Sequence, residues 1–299
     1  VGIRALGSEV SVERFNKGVA SRLAKELSLL TVQALNAKEL SSLLLKLMTS
    51  YPKITRENFD AVLFDLDGVL TSTAKLHAAA WKQTFDTFLK GYAEKRKETF
   101  IPFDIGEDYR LYVDGKPRFD GVRSFLTSRG IDLPYGAPTD LPTAETVCGV
   151  GNQKNELVNQ IMARDGVEAY PGSVKAVNLL KDRGIKTGVV SSSNNCAAVL
   201  RVAKIESLFD IRVDGKTASE LALSGKPEPD MFLEAARQLG VEPRRSIVVE
   251  DAIAGVQAGK KGGFGLVIGI ARAGNFDELR KQGADLVVED LEQLLQQTS

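Results

Sequence analysis

The feature that most constrains this chain is an alternation. Short β-rich runs at residues 61–64, 186–190, 211–213, 246–249, 265–270 and 285–288 are separated by stretches of helical apolar spacing at 173–183, 196–203, 230–239 and 252–260. Strands that alternate with helices predict an α/β fold, a Rossmann-like core with a parallel sheet covered on both faces. Ligands of such sheets bind beyond the carboxyl ends of the strands, near the switch in strand order. Chemistry-bearing residues are therefore sought just after strands.

The rhythm breaks once. From Ala74 to about residue 169 helical patterns at 75–90, 122–129 and 155–162 are joined by loops containing Pro102, Pro117, Pro134, Pro138 and Pro142, with no parallel strand among them. This predicts an α-helical domain, 74–169, inserted into a core formed by 56–73 and 170–299, with short connections at 71–73 and 169–172 able to hinge. Ahead of the core, Val12, Phe15, Val19, Leu23, Leu27 and Leu30, and then Leu35, Leu40, Leu43, Leu44 and Leu47, recur every three or four residues. Two amphipathic helices are expected there, within an N-terminal extension 1–55. Their apolar faces suit docking on the main body or a homo-oligomer contact.

Thirty-nine lysines and arginines balance 39 aspartates and glutamates, so no global field draws the chain to nucleic acid or an anionic membrane, and a small-molecule partner is expected. The densest apolar stretch, at 43–48, is far shorter than the roughly 20 residues that cross a bilayer. Cys148 and Cys196 show no metal-ligand spacing and form no disulfide framework, which suits a reducing compartment, the cytoplasm by default. The sequence begins with valine; Glu9, Glu13 and Glu26 argue against an acid-poor leader.

Four strand-end or loop sites carry the chemistry. After the first strand, Asp65 and Asp67 stand two positions apart, so their side chains point the same way on an extended backbone. Paired carboxylates repel unless a hard cation or a proton relieves them, and Mg²⁺ is the natural cation; a glycine turn capped by its own acids is the alternative reading. After the strand at 186–190 come Ser191, Ser192, Ser193, Asn194 and Asn195 at a helix start, a place for a phosphate or for ordinary capping. Gly225-Lys226-Pro227 holds a cation in a stiff loop, and Glu250-Asp251 places two acids after the strand at 246–249.

These four sites, in this order and at these separations, resemble the signature motifs of the haloacid dehalogenase superfamily over residues 56–299. The resemblance implies a helical cap after the first motif and Mg²⁺-dependent phosphoryl transfer. It casts Asp65 as nucleophile, Asp67 as acid and base, Asp65, the Asp67 carbonyl and Asp251 as metal ligands with Glu250 close by, and Ser191, Ser192 and Lys226 as holders of the phosphoryl oxygens.

Within the superfamily the segment from Asp65 to Trp81, with Thr73, His77 and Trp81, resembles the β-phosphoglucomutase branch. His77, the sole histidine, and Trp81 share a helix face at i and i+4; a packed structural histidine is the competing reading. Arg118 resembles the branch's arginine for a distal phosphate, with Arg123 as alternative, and Lys154-Asn155 its sugar-contacting pair. Ser193 and Asn195 fit as substrate contacts, whereas Asn194 departs from the branch, which has lysine there. The resemblance implies conversion of β-D-glucose 1-phosphate to glucose 6-phosphate through glucose 1,6-bisphosphate. A sugar-phosphate phosphatase and a catalytically silent phosphosugar-binding module are the alternatives; the intact Asp65, Asp67, Lys226 and Asp251 speak against silence.

Overall fold

The computed structural model describes residues 53–272 and 274–295. The amphipathic helices expected at 10–48, and any oligomer contact through them, lie outside these residues. The described residues from Ile54 onward form one compact unit.

Its centre is a six-stranded, wholly parallel sheet of β1 (Ala61–Phe64), β2 (Lys186–Val190), β3 (Ile211–Val213), β4 (Ser246–Glu250), β5 (Leu266–Ile270) and β6 (Leu286–Val288). The strand order is β3-β2-β1-β4-β5-β6, so the direction of winding reverses between β1 and β4. Phe64 stands opposite both Val189 and Val249, which brings the ends of β1, β2 and β4 to one level. Three of the four motifs thus open onto the same crevice by register alone.

Helices cover both faces. The seventh described helix, α7 (Asp230–Leu239), shows how sequence fixes the packing: Met231, Phe232, Ala235, Ala236 and Leu239 form a buried stripe that joins Leu63, Val190 and Val248 of the sheet in one apolar cluster. Burying Phe232 alone contributes roughly 2–3 kcal/mol. The other core helices are α4 (Pro171–Asp182), α5 (Cys196–Val202), α6 (Gly215–Glu220), α8 (Ile253–Lys261), α9 (Phe276–Lys281) and α10 (Glu292–Leu295).

Between β1 and β2 lie α1 (Ala74–Arg96), a π-helical turn (Tyr109–Val113), α2 (Arg118–Ser128) and α3 (Val147–Asp165), with no described strand among them. They bury a cluster of their own around Phe85, whose ring lies 4.3 Å from Phe125, 5.0 Å from Trp81 and 5.1 Å from Phe103. All three helices are longer than their apolar periodicity suggests. Gly91 does not stop α1, because Ala93 beyond it is still buried. Gly149 and Gly151 weaken the start of α3, but Thr146 caps it by accepting from the Gly149 N–H at 2.9 Å, and Val147 and Val150 pack in the cluster. Helix α2 begins four residues early, directly after Pro117, which makes Arg118 its first residue. The two connections to the sheet run side by side: Ser72 N–H donates to Glu168 at 3.0 Å and Tyr170 N–H to Leu70 at 2.9 Å.

Candidate active site

Asp65 sits one residue beyond β1, where its N–H donates to Val249 of β4 at 2.9 Å. One carboxylate oxygen receives Lys226 Nζ at 2.5 Å, and the same ammonium reaches Glu250 Oε1 at 2.6 Å and the Val190 carbonyl at 3.1 Å. Burial pushes Asp65 up to about 6, against the pull of Lys226. Glu250 is pushed up to about 7, again mainly by burial. For Lys226 burial works against the charge, but the two acids outweigh it and hold the ammonium above its ordinary range. The Glu250 side chain is fully buried, and its Oε2 accepts from the N–H groups of Asp251 and Ala252 at 3.1 and 3.2 Å. Glu250 therefore anchors Lys226 and the following loop.

Asp67 turns toward the other wall. Its Oδ1 accepts a hydrogen bond from Thr73 Oγ1 and faces His77 Nε2 at 3.6 Å. His77 Nδ1 meets Lys154 Nζ at 2.8 Å, and that ammonium also lies 4.9 Å over the Trp81 ring. With the lysine donating to Nδ1, the imidazole proton resides on Nε2, toward Asp67. Burial and then Lys154 keep His77 well below its usual range, so the ring is neutral. Lys154 is itself lowered to about 7 by burial. Asp67 is raised, first by burial, against the pull of Thr73 and Lys154.

Beyond β2 the loop is held by its own polar groups. Ser191 Oγ accepts from the Ser193 N–H at 3.2 Å, Ser193 Oγ from the Asn195 N–H at 3.1 Å, and Asn195 Nδ2 donates to Asn155 Oδ1 of α3 at 2.9 Å. Ser192 Oγ donates to the Gly115 carbonyl at 2.9 Å. The segment Asp114-Gly115-Lys116-Pro117 is thereby strapped across the core. A Cβ at Gly115, whose φ is +69°, would lie 2.8 Å from the Ala252 Cβ. Pro117 sits against Gly225 just as tightly, and Arg110 pairs with Glu278 of α9.

A cavity of about 480 Å³ lies between strap and sheet. Asp65, Asp67, His77, Trp81, Arg118, Lys154, Ser191, Ser192, Ser193, Asn195 and Asp251 line it, while Thr73, Lys226 and Glu250 stand behind that lining. Arg118 is part of that lining, and its buried Nε has no hydrogen-bond partner. Arg123, the alternative, is exposed and paired with Asp120 at 3.0 Å, outside the cavity.

Sequence reasoning missed Tyr109 and Asp114, both in the lining. The Tyr109 hydroxyl stands beside the Asp114 carboxylate, which burial, then Glu250 and Asp67, push up to about 7 although the hydroxyl acts to lower it. Their only sequence signal is Asp114-Gly115, which reads as an ordinary turn.

The acids suit a hard divalent cation. Asp65, Glu250 and Asp251 each offer an oxygen within 4.8 Å of the others'. Asp251 is raised well above its usual range by burial, then by Asp114, Asp65, Glu250 and Asp67, a surplus of negative charge that a cation would relieve. A Cβ at Gly68 would lie 2.6 Å from Asp251 Cγ and closer still to Oδ2, so only glycine leaves that oxygen accessible. Asp67 enters this cluster through no side-chain oxygen.

The comparisons with known proteins agree with this geometry. A family model described as haloacid dehalogenase-like hydrolase matches residues 59–263. A beta-phosphoglucomutase of Mycobacterium bovis is 48% identical over 242 residues, 80% of this chain and 92% of that protein. The beta-phosphoglucomutase of Bacillus subtilis is 33% identical over 228 residues, 76% and 88% of the two chains. The crystal structure of beta-phosphoglucomutase from Clostridium difficile superimposes with a TM-score of 0.61 at 27% identity, covering 79% of this chain and 93% of that one. A parallel sheet with the four motifs at its carboxyl edge, and relatives matched over nearly their full length, lead to one conclusion: this chain belongs to the haloacid dehalogenase-like hydrolase family, in its β-phosphoglucomutase-like branch.

Proposed function

We propose that this enzyme isomerises β-D-glucose 1-phosphate to glucose 6-phosphate through glucose 1,6-bisphosphate. The observation that carries the reading is one cavity lined both by Asp65 and Ser191, with Lys226 enclosed behind them, and by a second cation, Arg118, whose Nε has no partner. Hydrolysis needs one anion-binding group; a bisphosphate that reacts in both orientations needs a second, the part Arg118 would take.

In the first half-reaction an Asp65 oxygen attacks phosphorus in line, and the P–O bond to the sugar breaks as Asp67 gives its proton to the departing oxygen. The raised affinity of Asp67 for a proton prepares it for this step. Asp67 then takes a proton from the incoming sugar hydroxyl as that oxygen attacks the aspartyl phosphate. Ser191 and the Ser192 amide would hold the phosphoryl oxygens, each such donor being worth about 10²–10³ in rate where the transition state depends on it, and Lys226, enclosed behind Asp65, would set its positive charge against the transferred group. Asp65, the Asp67 carbonyl and Asp251 would hold Mg²⁺, with Glu250 behind them; the bound cation lowers the repulsion between carboxylate and phosphate. His77 and Thr73 orient the Asp67 carboxyl, and Trp81, Lys154, Ser193 and Asn195 bound the space for the sugar.

A sugar-phosphate phosphatase is the second reading, favoured by Asn194, a neutral and exposed residue beside the phosphate loop. Incubation with β-glucose 1-phosphate, Mg²⁺ and a trace of bisphosphate decides between them. Predominant glucose 6-phosphate is expected; predominant orthophosphate would establish the phosphatase instead.

A further inference from the structure

Asp114 is delivered to the catalytic centre by the helical insert, and nothing in the mechanism above uses it. Its position is tightly fixed. Its N–H donates to the Tyr109 carbonyl at 2.9 Å, closing the π-helical turn, which sets the Tyr109 hydroxyl beside its carboxylate. The next residue, Gly115, is pinned to Ser192 and packed on Ala252, the neighbour of Asp251. Tyr109, Asp114 and Asp251 line the same cavity.

Seating the strap therefore adds a carboxylate to a place that already holds Asp65, Asp67, Glu250 and Asp251. Two of these acids share Lys226, which is enclosed behind them. Without a further cation this approach is repulsive. With a divalent ion its sign reverses, because Mg²⁺ keeps several of its waters and a carboxylate just outside the ligand set can accept from them. We infer that Asp114, oriented by Tyr109, is a positioning residue that holds the outer water shell of the metal from the insert side, so that strap seating and metal binding strengthen each other. The coupling is reciprocal by thermodynamic necessity: whatever the seated strap adds to metal affinity, the metal adds to strap seating.

The inference rests on the metal-dependent reading above, and calorimetry with MgCl₂ alone, on the full chain without substrate, separates the two. The wild-type chain is expected to bind Mg²⁺, and Asp114→Asn, isosteric but less charged, to bind it about 10-fold more weakly, the lower end of what outer-shell partners contribute. Tyr109→Phe should weaken binding in the same direction by less, since the carboxylate stays. Gly115→Ala keeps Asp114 but places a Cβ against Ala252 and should also weaken binding. Amide exchange across residues 109–117 should slow on adding Mg²⁺ in the wild type, and this slowing should be lost in Asp114→Asn. Equal or tighter Mg²⁺ binding by Asp114→Asn, or strap protection that responds to Mg²⁺ as in the wild type, would overturn the inference and leave the proposed function standing. A wild-type chain that binds no Mg²⁺ would overturn both.

Discussion

Gly225→Ala separates the seating of the strap from the integrity of the core. A Cβ at Gly225 would lie 2.7 Å from Pro117 Cδ and closer still to Cγ. Carbon atoms in contact rest about 3.5–4.0 Å apart, so the strap would have to retreat by about 1–2 Å. Gly225 does not occupy the left-handed region, so its own backbone accepts alanine. The 2.9 Å bond between Ser192 and Gly115 would stretch out of hydrogen-bonding range. Arg118, next to Pro117, would be carried along, and a misplacement of about 1 Å can cost about 10² in rate. Isomerisation, followed by glucose 6-phosphate formation, should therefore fall about 100-fold. Hydrolysis of a small ester such as p-nitrophenyl phosphate, which needs only the Asp65 end, should stay within a few-fold of wild type, and the melting temperature should barely move. Native isomerisation would show that the seated strap is not needed. Equal loss of both reactions would show that the clash displaces Lys226 instead.

Asp65→Asn should abolish both isomerisation and hydrolysis because the amide is a poor nucleophile; turnover surviving in either assay would eliminate the covalent route. Arg118→Ala should raise KM for the bisphosphate by about 10–100-fold, the worth of a charged hydrogen bond of roughly 1.5–3 kcal/mol, while sparing small esters; equal losses would refute its distal role. Lys154 is lowered from 10.5 to about 7, so between these values the unfolded chain holds more protons and stability rises with pH, whereas below about 7 the buried ammonium costs most. Lys154→Met should then be more stable than wild type at pH 6, with an advantage that shrinks by about 1.4 kcal/mol per pH unit above 7. Urea unfolding from pH 6 to 9 checks this, and a pH-independent difference would refute it.

The parts of the site legible in the sequence are those in which one strand end delivers one motif. Asp65, Ser191 and Asp251 follow β1, β2 and β4, and the parallel register alone brings them level. His77 and Trp81 were legible because a helix fixes i and i+4 on one face. Pairings between motifs were not. Lys226 and Glu250 stand out separately in the sequence, yet their 2.6 Å contact depends on how two loops meet. The choice between Arg118 and Arg123 turned on where α2 begins, a boundary set by Pro117 and by burial of Val122 and Phe125. Tyr109 and Asp114 stayed hidden for a related reason: a π-helical turn has no apolar period of its own, and its partners come from the far side of the crevice.

Asp65 and Asp67 answer to different parts of the molecule. Asp65 is held by Lys226, and Lys226 by Glu250 and Val190, all of the sheet and its loops. Asp67 is held by Thr73, on the connection to the insert, and by His77 of α1, which in turn leans on Lys154 of α3. A displacement of the helices from the sheet would take His77 and Lys154 away from Asp67 and leave the partners of Asp65 in place. An aspartyl phosphate formed with the insert seated would then persist with the insert lifted, because the carboxyl that activates an attacking hydroxyl has lost its alignment. Water reaching the open crevice meets an electrophile without a positioned base, whereas a sugar that reseats the strap restores one. In the proposed reaction, this division of labour between sheet and insert would give the phosphoenzyme the lifetime that turning a bisphosphate around demands.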